Sequence, residues 1–179
     1  FTTLASGIPG SDNIRGVSFA PSADDVTPTS VTVSSGVTST GLTVTSGGSI
    51  TILNGGTAVG TTVLSGGTEL VSSGGIDSGS DIALGGDETV LGSTSGDTVG
   101  GIQLVSAATA VVSNEIIVNG GSVDLFLKGA IANNTTVETG GTLNINGAAT
   151  AYATVLDGGQ LNLESAKASF GGSLTFEGS

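Results

Sequence analysis

The sequence predicts an all-β chain folded as a single-stranded parallel β-helix, a β-solenoid with about 19 residues per rung. Three observations carry that reading: a composition too apolar for disorder, a Gly-Gly pair that returns at a near-constant step, and apolar columns at fixed offsets from it.

Composition comes first. Gly makes up 32 of 179 residues, and Ser and Thr are the most abundant side chains. Charged residues are only 10% and mean hydropathy is +0.37. Disorder requires the opposite balance, so a Gly/Ser-rich chain of this kind needs a period to be anything but low complexity. The period exists. Gly-Gly pairs begin at Gly47, Gly66, Gly85, Gly100, Gly120, Gly140, Gly158 and Gly171, at steps of 19, 19, 15, 20, 20, 18 and 13 residues. Stepping back from Gly47 reaches Pro28, which gives about nine rung starts over residues 28–179. Residues 1–27 lie outside the repeat and are expected to cap the first open rung or to form a leader. Because the chain begins at Phe1 with no signal peptide before it, it is read as a processed or trimmed piece.

Each unit reads as strand, turn, strand, turn. Five residues after the first Gly stand Ile52, Val71, Val90, Val105, Leu125, Ile145, Leu163 and Phe176, with Val33 ahead of them. An unbroken apolar column is what an inward strand position requires. Three residues before each pair stand Val44, Val63, Ile82, Asp97, Ile117, Val137, Val155 and Ala168, where only Asp97 is charged. One unit cannot bury its own apolar face; stacking units about 4.8 Å apart can. An antiparallel sandwich would not hold the same column apolar at this step.

The absences restrict function. There is no Cys, His, Met or Trp, so no disulfide, redox thiol, imidazole base or ordinary zinc site can be built. Only Arg15, Lys128 and Lys167 oppose 15 acids, for a net charge of −12, so nucleic acid and anionic membranes are poor partners. No apolar run reaches the roughly 18 residues of a membrane span, so this fragment is not expected to insert into a membrane. No nucleophile elbow, P-loop or dinucleotide motif is present, and aromatics at 3% cannot pave a sugar cleft. The expectation is a non-enzyme with no catalytic residue and no cofactor.

Units such as GGTAVGTTVLSGGTELVSSGG and GGTLNINGAATAYATVLDGGQLNL resemble the strand-loop-strand repeats of autotransporter passenger domains, those of the diffuse-adherence and self-associating adhesins above all. The resemblance runs from about residue 28 to the end of the chain. It implies a right-handed β-helix at the bacterial cell surface or outside the cell, adhesion or self-association leading to biofilm, and O-linked sugar on Ser and Thr. The expected partners are like molecules, and surface glycans or host surfaces. A matrix fibre built by end-to-end stacking is the alternative, and a polysaccharide-active β-helix enzyme the remote one.

Two local expectations concern acids. Three residues after the first Gly stand Ile50, Glu69, Glu88, Gln103, Val123 and Leu143. If Glu69 and Glu88 stack inward about 4.8 Å apart, they bind a cation or hold a proton. With Asp87 they form a weak calcium candidate in a chain otherwise expected to hold no metal. The preferred reading is a one-residue slip that turns Leu70 and Leu104 inward and leaves the acids in solvent. GGIDSGSDI, from Gly74 to Ile82, fails the calcium-binding nonapeptide pattern, since Asp77 stands where its third Gly belongs. The 15-residue unit after Gly85 is expected to interrupt the solenoid over 92–99, with Asp97 in solvent and Ile116, Ile117, Leu125 and Ile131 rebuilding the core beyond it. Of the many Ser and Thr near turns (Thr40, Thr61, Thr62, Ser72, Thr135 and Thr136 among them), most are read as ordinary strand and turn residues.

Overall fold

A computed structural model describes residues 30–177; the expected cap or leader at 1–27 lies outside them. The described chain is a parallel β-solenoid of eight rungs without a helix. The rungs begin at the strands Ser30–Val33, Ser49–Ile52, Thr68–Val71, Asp87–Val90, Ile102–Val105, Ser122–Leu125, Thr142–Ile145 and Gln160–Leu163. These pair in order, in parallel, as one eight-stranded sheet.

Rungs 1–6 have three strands rather than two. In rung 2 the long first strand is followed by Thr57–Val59 and Thr62–Val63. The missed corner needs only two residues, Gly60 and Thr61, and the first of them has positive φ (65°). The same conformation recurs at Gly41, Gly79, Gly96, Asn114, Asn134, Ala153 and Gly172. Glycine and asparagine tolerate it, so most rungs fold there without strain. Ala153 is the exception; there, and at Gly172 in the last rung, the second and third strands run on as one, Thr150–Asp157 and Ser169–Glu177.

The first apolar column is inward as the spacing predicts. Val33, Ile52, Val71, Val90, Val105, Leu125 and Ile145 are buried. Its two final members differ. Leu163 is 56% exposed on the last rung, and Phe176 belongs to another column, paired with Leu156. Gly171 therefore lies within the strand Ser169–Glu177 and starts no rung, which reduces nine starts to eight.

The 15-residue unit does not break the stack. Its strands Asp87–Val90, Ser93–Ser95 and Thr98–Val99 pair with the rungs on both sides. The four missing residues come out of two corners, two from each. Leu53–Gly56 in rung 2 corresponds to Leu91–Gly92, and Leu64–Gly67 to Gly100–Gly101. Both short corners fold back onto the preceding rung. The Leu91 and Gly92 N–H groups donate to the Val71 carbonyl, and those of Gly100 and Gly101 to the Ile82 carbonyl. Glycine is required at this approach, because a Cβ on Gly92 or Gly101 would collide with the carbonyl oxygen of Gly75 or Gly86. Contracting the corner moves the alignment by two, so Val99, not Asp97, continues the column of Ile82 and Ile117. Ile117 and Leu125 are core residues as expected. Ile116 is 40% exposed and Ile131 only half-buried, because both occupy outward strand positions.

Candidate functional site

Strand parity decides where the acids of rungs 3–5 point. Val71, Val90 and Val105 are inward, so the residues two before them are inward as well. Those residues are Glu69, Glu88 and Gln103, aligned in one column by the pairings Glu69↔Glu88 and Glu88↔Gln103. A slip that buried Leu70 and Leu104 would expel three valines. The preferred sequence reading is therefore overturned: the acids are inside, and Leu70 and Leu104 are half-buried on the outer face. Asp87 is exposed and leaves the calcium candidate.

Two further inward columns bring in acids that the spacing did not suggest. On the second strand of rung 3, Ile76–Ser78, Asp77 stands in the place of Ala58 below it. At the corner before each third strand the column reads Leu42, Thr61, Ser80, Asp97, Glu115, Thr135 and Thr154, all buried. Thr61 and Thr135 are therefore core residues rather than surface ones.

Five carboxyl groups thus meet inside the solenoid. Glu69 is 2% exposed, Asp77 and Glu88 1%, Asp97 and Glu115 0%. No basic side chain faces them, since the only Lys or Arg among the described residues, Lys128 and Lys167, are exposed at the surface.

Part of the cluster is hydrogen-bonded. The Gln103 amide donates to Glu88 Oε2 (2.8 Å) and Asp97 Oδ2 (3.4 Å). The Ser80 N–H donates to Asp97 Oδ1 (2.9 Å). Thr94 Oγ1 and the Ser113 N–H both donate to Glu115 Oε1 (3.2 Å each). Elsewhere the partners are missing: both oxygens of Glu69 and of Asp77, and one each of Glu88 and Glu115, have none.

Burial pushes every one of these carboxyls up, and for all but Asp77 mutual repulsion adds to it. Glu69 is raised to about 9 by burial and then by Asp77 and Asp97. Glu115 is raised to about 9 by burial and Asp97, and Asp97 to about 7 by burial and Asp77. Burial also raises Asp77, and lifts Glu88 well above the carboxylate range with help from Asp97, Glu69 and Asp77. As a set the groups hold protons or a metal ion at neutral pH; five bare charges without a counter-ion are too costly. Glu69, Asp77 and Glu88 each bring one oxygen within 4.8 Å of the others.

The outer faces are different in kind. Their strand positions carry mostly Thr, Ser and Asn, as in Thr38 and Thr57, Thr43 and Thr62, or Ser30 and Ser49, each pair in register on adjacent rungs. Some rows are linked across rungs: Asn162 donates to Asn144 (2.8 Å), Asn144 to Asp124, and Asn134 to Asn114 (3.4 Å). Asp124 is half-buried in this outer row. Among the described residues, no helix is long and apolar enough to cross a membrane.

By sequence the chain matches no protein-family model and no curated protein. By structure six solved chains are similar. One is the TibC-catalysed hyper-glycosylated TibA fragment 55–350, with a TM-score of 0.73 and 30% identity over 79% of this chain. This chain spans about half (54%) of that fragment. The likeness extends the β-solenoid fold to a solved protein, in line with the strand-loop-strand units read from the sequence.

Proposed function

We propose that the chain is part of a bacterial surface adhesin, and that its outer faces associate with the same faces of a second copy. One observation carries this: hydroxyl and amide side chains recur on the outer strands at the rung spacing of about 4.8 Å, along a rigid parallel scaffold. A single contact of this kind is weak, but eight rungs present it repeatedly, and repetition turns weak contacts into a lasting one. The resemblance of the repeat units to autotransporter passengers, together with the fold shared with the TibA fragment, supports a cell-surface or extracellular place and a non-enzymatic role. That relative is hyper-glycosylated, which favours sugar on the exposed Ser and Thr here as a second property of the same faces. Polysaccharide cleavage is disfavoured by the site itself, because acids exposed by 2% or less cannot touch a polymer.

Electron microscopy and sedimentation of the purified chain, from low to physiological ionic strength, test the reading. Screening the like charge of a −12 chain should promote association. Side-by-side pairs and sheets that grow with salt are expected. A monomer at every ionic strength would end the self-association reading, and filaments one solenoid wide would replace it with end-to-end stacking.

A further inference from the structure

Rungs 3 and 4 contain negative groups with nothing opposite them. Glu69 and Asp77 have no hydrogen-bond partner on any of their four oxygens, and Glu88 Oε1 has none. A proton on Glu69 engages one neighbouring acceptor and leaves the other oxygens free. A second set of atoms points the same way. Thr61 Oγ1 beside Glu69 and Ser80 Oγ beside Asp77 are neutral oxygens, 1% exposed as residues and also without partners. Gln103 Oε1, fully buried, is left free when its amide nitrogen binds Glu88 and Asp97. The interior therefore presents a group of unengaged oxygens and no nitrogen or sulfur ligand. Such a donor set suits a hard cation.

We propose that Glu69, Asp77 and Glu88 bind one calcium-class divalent cation inside the solenoid, with the Thr61 and Ser80 hydroxyls beside it. The donor set and its setting favour calcium. Calcium–oxygen distances of about 2.3–2.6 Å allow two ligands of one ion to stand up to about 5 Å apart. The three carboxylates, within 4.8 Å of one another, meet that limit. Calcium accepts an irregular all-oxygen shell, whereas magnesium demands a near-ideal octahedron and keeps several waters, which this buried interior does not provide for. The ion would bridge two rungs, since Glu69 and Asp77 come from one and Glu88 from the next. Because the site is sealed, the ion enters as the rungs close and is held after excess metal is removed.

The test uses the whole chain, unfolded in urea and refolded either in calcium or in chelator, then desalted. About one calcium per chain by elemental analysis is expected after refolding in calcium. With calcium restored to about a hundredfold over its dissociation constant, the thermal midpoint should stand about 5–10 °C above the chelator sample. The E69Q/E88Q variant keeps the shape, removes two charges and should neither retain calcium nor respond to it. D87N, which changes an exposed acid, should retain the ion. Equal midpoints in calcium and chelator with no metal retained by the wild-type chain would overturn the proposal, whether or not E69Q/E88Q folds. Loss of the ion in D87N would overturn it as well, by moving binding to the surface.

Discussion

Rungs 3–5 and rungs 6–7 share one backbone and fill it differently. The column of Glu69, Glu88 and Gln103 continues as Val123 and Leu143. The column of Ser80, Asp97 and Glu115 continues as Thr135 and Thr154, and that of Asp77 and Thr94 as Val112, Ala132 and Ala151. The pairing is uninterrupted from one region to the other. Register is therefore held by what the regions have in common: the inward Val, Leu and Ile of the first strand, and corners closed by backbone hydrogen bonds to the neighbouring rung. The remaining inward positions are free to become polar where the interior can neutralise the charge.

The largest effect comes from putting an acid where that provision is lacking. Leu143→Glu sets a carboxyl in the same column as Glu69 and Glu88 but among apolar side chains, with none of the oxygen cluster around it. We expect a loss of several kcal/mol, enough to abolish the cooperative thermal transition followed by circular dichroism. A midpoint within a few degrees of wild type would mean that rungs 3–5 have no special capacity for acids.

The next effect is on pH. Folded-state values near 9 for Glu69 and Glu115 lie above the ordinary value of 4.5, so the folded state keeps protons that the unfolded chain releases. The stabilisation is complete below about pH 4.5 and is lost as pH rises towards 9. In chelator the urea midpoint should fall steadily over that window. Asp97→Asn keeps an acceptor for the Ser80 N–H and removes one acid, so it should raise the midpoint at pH 8 and change little at pH 5. An Asp97 in solvent would show no such difference.

The smallest expected effect lies at the second corner. Ala153 holds φ of 49°, where Gly60 holds 65° with open space around it. Ala153→Gly should gain about 1 kcal/mol and Gly60→Ala should lose about as much, read as opposite shifts in urea midpoint. If both destabilise, side-chain packing of Ala153 outweighs its backbone strain.

What was legible in the sequence follows from what repeats. Parallel stacking, rung length and the first apolar column are written once per rung, and all were readable. The third strand was obscured because its corner is a single positive-φ residue filled by Gly, Asn or Ala, which share no letter. The shortened rung misled because its Gly100–Gly101 pair looks like the others. Its own text held the correction: Val90 is followed by only Leu91–Gly92, and Val99 by only Gly100–Gly101. Placing Glu69 outside also conflicted with parity, since Val71 fixes it inside. Asp77, Asp97 and Glu115 could not be joined to Glu69 and Glu88 until the corners were placed, because their columns come from other faces of the rung.

Carbon-detected nuclear magnetic resonance of the Glu and Asp side-chain carboxyls, titrated in chelator, tests most directly whether these acids lie inside an unbroken solenoid. The account predicts that Glu69, Glu88 and Glu115 still hold their protons at pH 6. Titration of all three near pH 4, as for solvated carboxylates, would contradict it.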